Sequence, residues 1–214
     1  ILFMPNLSPV VLIIIACNIL MSYKGFNDRY FFDKYKFNIG SILRGEQLRM
    51  LSSGFLHVDP KHLLFNMITL YFFSDRVVLF LGVYGFVLVY FASLILGSLL
   101  SFFLNKDNYM YSAVGASGAV TGVIYAAILI DPWMRINAII PGFIFGIGYL
   151  FYSIYGMKKR ADNIGHDAHF GGAIGGYVST LYLLPQLFEI QPIMVGVLAI
   201  PIVVLFVMIK MKKL

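Results

Sequence analysis

The 214 residues are 60% hydrophobic and 12% charged, against roughly 45–50% and about 25% in an ordinary soluble domain, which excludes a typical water-soluble globule. The net charge of +6 comes from sixteen Lys and Arg against ten Asp and Glu, with no long basic run, so the cations report membrane orientation and no nucleic-acid partner is expected. The single cysteine, Cys17, excludes an intramolecular disulfide framework, a CxxC pair and a cysteine zinc cluster.

The sequence opens on Ile1 and not on Met, so a natural start upstream of it is expected. A bilayer core about 30 Å thick takes roughly 20 apolar residues per helix. Charge-free windows of that order occur at 1–23, 77–105, 108–130, 136–157, 168–188 and 190–209. A shorter seventh begins near His62 and runs through LLFNMITLYFF to Asp75 and Arg76, where it should meet the headgroups. Seven spans leave no room for a soluble domain of typical size, so the expected fold is a polytopic, all-α membrane domain.

The longest connection, 23–61, interleaves Tyr23, Phe26, Tyr30, Phe31 and Phe32 with Lys24, Arg29, Lys34 and Lys36, the mixture expected of a segment lying in the membrane interface. It ends on Asp59 and Pro60, an N-cap followed by a proline at the first helical position. The helix holding His62 therefore starts at the surface and dives inward.

A polar side chain in hydrocarbon needs a reason. The candidates are Asn18, His62, Asn66, Ser117, Thr121 and His169. No buried Asp or Glu stands out, which disfavours a proton-coupled transporter. Asn18 reads as packing polarity. His62 and Asn66 stand four apart, on one helix face with an axial offset of about 6 Å. Both can project into one cavity, but taken alone the pair is more often an interfacial histidine beside an interhelical hydrogen-bonding amide.

The stretch AVGASGAVTGVIYAA sets Gly118, Gly122 and Ala126 at intervals of four, a smooth face for close helix packing. The alternative is that Ser117 is a nucleophile at a loop-to-helix junction. HDAHFGGAIGGYVST starts a later helix at His169, followed by Gly172 and Gly176, with Gly171 and Gly175 alongside. Two such faces let backbones approach closely, which would bring Ser117 and His169 within reach. His166 reads as a solvated loop residue and His57 as a residue of the interfacial segment.

Together these features describe a serine whose proton passes to a histidine, a dyad with no carboxylate nearby. The Asn66 amide, a His62 ring N–H and the Ser117 backbone N–H are available to a developing oxyanion.

These residues resemble the rhomboid family of intramembrane serine proteases over nearly the whole chain. GASG around Ser117, HxxxN at His62 and Asn66, and AHFGGAIGG around His169 carry the resemblance. GEQLRMLSSGFLHVDPKHLLFN adds to it, with Arg49 at a characteristic arginine and His57 at an upstream histidine. The resemblance implies a six-helix core at 1–188, with the interfacial loop at 23–61, and an additional helix with a basic tail at 189–214. Ser117 would be the nucleophile, His169 the general base, and His62, Asn66 and Ser117 the oxyanion set. Gly118, Gly122, Gly172 and Gly176 would be helix-packing positions. The partners it implies are the lipid bilayer and transmembrane proteins whose helices unwind and are cut near the surface; no metal and no cofactor are expected. Water would reach the site below a mobile loop, after His57 or before His169.

Two departures stand out: Leu48 replaces a common tryptophan, and Thr121 replaces the aromatic that packs against the histidine in many members, so His169 must be oriented by something else. Fourteen of the sixteen cations fall on the active-site side of the seven spans and only Arg76 and Arg135 on the other. The positive-inside rule makes the active-site side cytoplasmic. The resemblance implies a cell inner membrane with the site opening to the extracytoplasmic side, and that orientation is the expectation. The rival readings are an inactive relative, which would typically have lost Ser117 or His169, a small transporter or channel, and a purely structural membrane subunit.

Overall fold

The computed structural model describes residues 8–136, 138–159 and 164–213. The first residues of the opening window, Arg160 of the basic cluster, and most of the loop before His169 lie outside the described residues.

Helix α1 (Pro9–Asn27) starts with proline in its first turn and ends with Lys24 in its last, where a cation complements the helix dipole. It runs past residue 23 and so takes in the start of the expected loop. Asp28 then caps α2 (Arg29–Tyr35), accepting the Phe31 N–H at 2.9 Å. After Lys36 comes β1 (Phe37–Asn38), paired antiparallel with β2 (Ser112–Ala113) so that Phe37 faces Ala113. This short ribbon ties the interfacial segment to the strand leading into Ser117.

After α3 (Ile39–Leu43), Arg49 opens α4 (Arg49–Ser52). Its nearly buried guanidinium binds Glu46 and donates to the carbonyls of Asp33 (2.7 Å) and Lys36 (3.0 Å). One arginine thus draws three stretches of the segment together. Leu48 beside it is 63% exposed.

Helix α5 (Pro60–Asn105) has 46 residues. A straight helix of that length would reach about 69 Å, yet His62 near its start and Ser101 near its end line one cavity. The chain reverses at Gly82, where φ is 67° and ψ 178°, a conformation natural to glycine alone. Two arms result, 60–81 and 83–105. Asp75 and Arg76 therefore lie within the first arm, not at its end as expected, because the turn needs the glycine rather than the charges. Arg76 pairs with Asp131 at 3.4 Å.

Helices α6 (Ser117–Ile130), α7 (Gly142–Lys159) and α8 (His166–Leu183) follow, with a two-strand ribbon, β3 (Arg135–Ile136) and β4 (Ile140–Pro141), before α7. The short α9 (Leu187–Ile190) leads into α10 (Pro192–Lys210). Helix α8 is wedged between α6 and the second arm of α5. On one side Gly172 and Gly176 rest on the backbone of Gly118 and Gly122; on the other Gly171 and Gly175 rest on Leu96 and Ser93. Helix α10 lies against α7 and α6, where Leu198 packs beside Gly146 and its carbonyl accepts the Tyr125 hydroxyl at 2.7 Å.

One apolar cluster, including Phe86, Val89 and Val123, fills the space between α1, α5 and α6; a second, including Leu129, Leu150, Phe170 and Leu198, joins α6, α7, α8 and α10. Large apolar side chains also point outward, among them Leu20, Phe65 and Phe206, as they do where lipid replaces water. Among the described residues, three helices, α1, α5 and α10, are long and apolar enough to cross a membrane, and α6 is a shorter apolar helix. The fold is that of an all-α integral membrane protein.

Candidate active site

The four residues of the expected dyad and oxyanion set, His62, Asn66, Ser117 and His169, meet at one cavity of about 1130 Å³. Ser117 and His169 arrive there through backbone contact. Gly118 lies against the carbonyl of Ala168, and a Cβ placed on it would come within 3.1 Å of that oxygen. Ser117 and His169 are the chain neighbours of these two touching residues, so the first turns of α6 and α8 deliver their side chains to the same place.

The turn into α6 is clamped. The Gly115 N–H donates to the Ser53 carbonyl at 3.0 Å, and the Ala116 N–H donates to His57 Nε2 at 3.4 Å. Gly115 has φ 137°, and a Cβ there would sit 2.8–3.0 Å from the His62 ring. Neither that backbone conformation nor that gap admits a side chain. The same point lies 3.5 Å from Ser117 Oγ, so His62 Nε2 and the serine hydroxyl flank one small space.

His57 is buried, with no exposed surface, which corrects its reading as an ordinary residue of the interfacial segment. The hydroxyl of Ser22 donates to the Phe55 carbonyl at 3.0 Å, so its 2.8 Å bond to His57 Nδ1 takes the proton from the histidine. Nε2 is then left as an acceptor for Ala116. Burial, and secondarily His62, push the His57 pKa down to about 3. It stays neutral and holds the loop before Ser117.

His166 is likewise buried. It was expected to be solvated, but its ring packs on Gly156 and lies edge-on to Tyr152 of α7. A buried carboxylate is also present, contrary to expectation: Asp167 accepts from Asn105 (2.6 Å) and from the Tyr111 hydroxyl (3.0 Å). It also accepts the Ala168 N–H at the start of α8, so its described bonds tie α8 to the end of α5 and to the segment before Ser117.

His169 Nδ1 faces Tyr149 of α7, whose hydroxyl is 2.9 Å away. The two rings are nearly parallel, 25° apart, with centroids 6.0 Å apart. Thr121 cannot stack, and the orienting aromatic comes from another helix. Sequence reasoning missed Tyr149; its only local signal is a hydroxylated aromatic repeating at 149 and 152 on one helix face. Asn66 donates one amide hydrogen to the His62 carbonyl at 3.1 Å, which leaves its second for the cavity. Asn18 bonds Ile14 and the Tyr90 hydroxyl, the packing role expected of it.

A sequence profile described as the Rhomboid domain matches residues 44–186, two thirds of the chain and all four of these residues. The chain belongs to the rhomboid family. It is 25% identical over 183 residues to RHOMBOID-like protein 12, mitochondrial, of Arabidopsis thaliana, covering 76% of this chain and 54% of that protein. It is 31% identical over 153 residues to Rhomboid protease GluP of Bacillus subtilis, covering 68% and 28%. With the mouse Presenilin-associated rhomboid-like protein, mitochondrial, identity is 33% over 134 residues, covering 59% and 36%. The chain thus spans between about a quarter and about half of the length of these relatives. The rhomboid match begins at Arg44 and ends before α10, so α1 and the terminal helix lie outside it.

Proposed function

We propose that this rhomboid chain is an intramembrane serine endopeptidase that cleaves transmembrane segments of membrane proteins with a Ser117–His169 dyad. The observation that carries this reading is the glycine-mediated backbone contact of α6 with α8, which sets the serine and the histidine at the head of two helices around one cavity. Ser117 Oγ attacks the scissile carbonyl as its proton passes to His169 Nε2. The imidazolium then protonates the leaving amine, and water repeats the sequence on the acyl-enzyme.

The oxyanion forms beside three donors: the Ser117 N–H, which heads α6 where backbone N–H groups lack helical partners, the free Asn66 amide hydrogen and the His62 ring. His62 Nδ1 is buried without a hydrogen-bond partner among the described residues. Phe65 and Phe73 from the first arm of α5 and Phe145 from α7 give the cavity apolar lining, which suits a substrate helix arriving from lipid. The core at 1–188 would carry this chemistry, with 189–214 as an added helix.

The site is proposed to open to the extracytoplasmic side of a cell inner membrane; two of the relatives above are mitochondrial by name. Reporter fusions at the two ends decide orientation, and a cytoplasmic carboxyl terminus overturns it. For the activity, a fluorophosphonate probe should label the wild type but not Ser117→Ala, and a transmembrane reporter substrate should be cut by the wild type but not by Ser117→Ala or His169→Ala. Equal cleavage by wild type and Ser117→Ala overturns the proposal.

A further inference from the structure

We infer that Tyr149 and Thr121 form a positioning pair that fixes the tautomer of His169, and that the hydrogen-bond chain doing so is anchored on the carbonyl of Ser117 itself. The inference rests on the dyad reading for its catalytic meaning, but the hydrogen-bond geometry stands without it.

The chain has three links. Thr121 Oγ1 lies 2.7 Å from the Ser117 carbonyl, one turn back on α6. It lies 3.5 Å from the Tyr149 hydroxyl, which lies 2.9 Å from His169 Nδ1. A carbonyl can only accept, so the one hydrogen of Thr121 is committed to Ser117. Toward Tyr149 the threonine oxygen can therefore act only as an acceptor. The phenolic hydrogen can take that place, long though the contact is, and the phenolic oxygen then accepts from His169 Nδ1–H. A neutral imidazole with its proton on Nδ1 has a bare Nε2, the state needed to receive the proton of Ser117.

Without the threonine oxygen the phenolic hydrogen has one remaining acceptor among these groups, His169 Nδ1. Tyr149 would then donate to Nδ1 and favour the tautomer protonated on Nε2, which cannot take the serine proton there. The pair thus does by orientation what a carboxylate does in a triad. Asp167 instead receives Asn105, the Tyr111 hydroxyl and the Ala168 N–H, while Tyr149 is the described partner of His169 Nδ1. The stacked Tyr149 ring also fixes the imidazole plane, so ring and hydroxyl serve separate ends.

The variants that separate these ends are Tyr149→Phe, which keeps the ring, Thr121→Val, which keeps the volume, and Thr121→Ser, which restores the hydroxyl. In the full chain in detergent or bilayer, Tyr149→Phe and Thr121→Val should lower kcat by on the order of 10- to 100-fold, a share of the roughly 100- to 10,000-fold that a general base supplies, with KM unchanged. Thr121→Ser should recover most of the rate. Nitrogen-15 spectra of histidine-labelled protein need no substrate: His169 should be protonated on Nδ1 in the wild type and shift toward Nε2 protonation in Thr121→Val. A wild-type His169 protonated mainly on Nε2 overturns the inference, as does a Tyr149→Phe variant with wild-type kcat. A wild type that neither labels nor cleaves while His169 carries its proton on Nδ1 instead overturns the protease reading and leaves the hydrogen-bond assignment in place.

Discussion

Gly172 of α8 is seated on the carbonyl of Gly118 in α6, so close that a single methyl group on Gly172 would overlap it. The register of the candidate dyad depends on this contact, because the helix heads bearing Ser117 and His169 cannot be nearer than their backbones allow.

Gly172→Ala should therefore weaken the fold and the chemistry together. Overpacking a close contact costs roughly 1–3 kcal/mol, and a displacement of about 1 Å at a reacting centre can cost about 100-fold in rate. Gly148→Ala on α7 and Gly196→Ala on α10 are the controls, since nothing lies within 4 Å of a Cβ at either. Thermal unfolding and cleavage assays should separate Gly172→Ala from both, and equal behaviour of the three would show that the contact is not limiting.

At Gly115 the same addition strikes the His62 ring and also forces a φ of 137° on an L-residue. Gly115→Ala should lose probe labelling by at least about 100-fold with a smaller change in thermal midpoint than Gly172→Ala, because Gly115 is only half-buried while Gly172 is buried between two helices. Wild-type labelling of this variant would contradict the tight His62–Ser117 spacing.

Asn66→Ala removes one proposed oxyanion donor and leaves the candidate dyad intact. Turnover should fall on the order of 10- to 1,000-fold with KM little changed, measured on a transmembrane reporter. A rise in KM at constant kcat would assign Asn66 to substrate binding instead.

Acidification should destabilise the protein through His57. Above about pH 6.5 the residue is neutral in both folded and unfolded chains and contributes nothing to pH dependence. Below that the unfolded chain takes up a proton, which the folded one resists until about pH 3. Stability should thus fall as pH drops through this window, by at most about 1.4 kcal/mol per unit. Thermal midpoints between pH 7 and 4 should decline less steeply in His57→Gln, and identical slopes would place the sensitivity elsewhere.

Arg49→Lys should cost about 1–3 kcal/mol, because a lysine cannot reach Glu46 and two carbonyls at once. Leu48→Ala beside it should stay within about 0.5 kcal/mol, since Leu48 is mostly exposed. Unfolding of the two variants under one condition tests the contrast.

The sequence by itself determined the membrane class, because 60% apolar residues with charges kept to the ends of runs admit little else. It also singled out the two glycine faces by their four-residue intervals, and Ser117 and His169 by the small-residue stretches that hold them. Periodicity is local, and it identified His62 with Asn66 and Gly118 with Gly122 for that reason. Where one helix meets another was decided only by the tertiary structure. The reversal at Gly82 rather than at Asp75 and Arg76, the burial of His57 and His166, and the anchoring of Asp167 by Asn105 and Tyr111 all depend on partners distant in sequence. Tyr149 is the sharpest case: its meaning comes from a histidine twenty residues on and a threonine twenty-eight residues back, and only the packing of α7 beside α6 and α8 brings the three together.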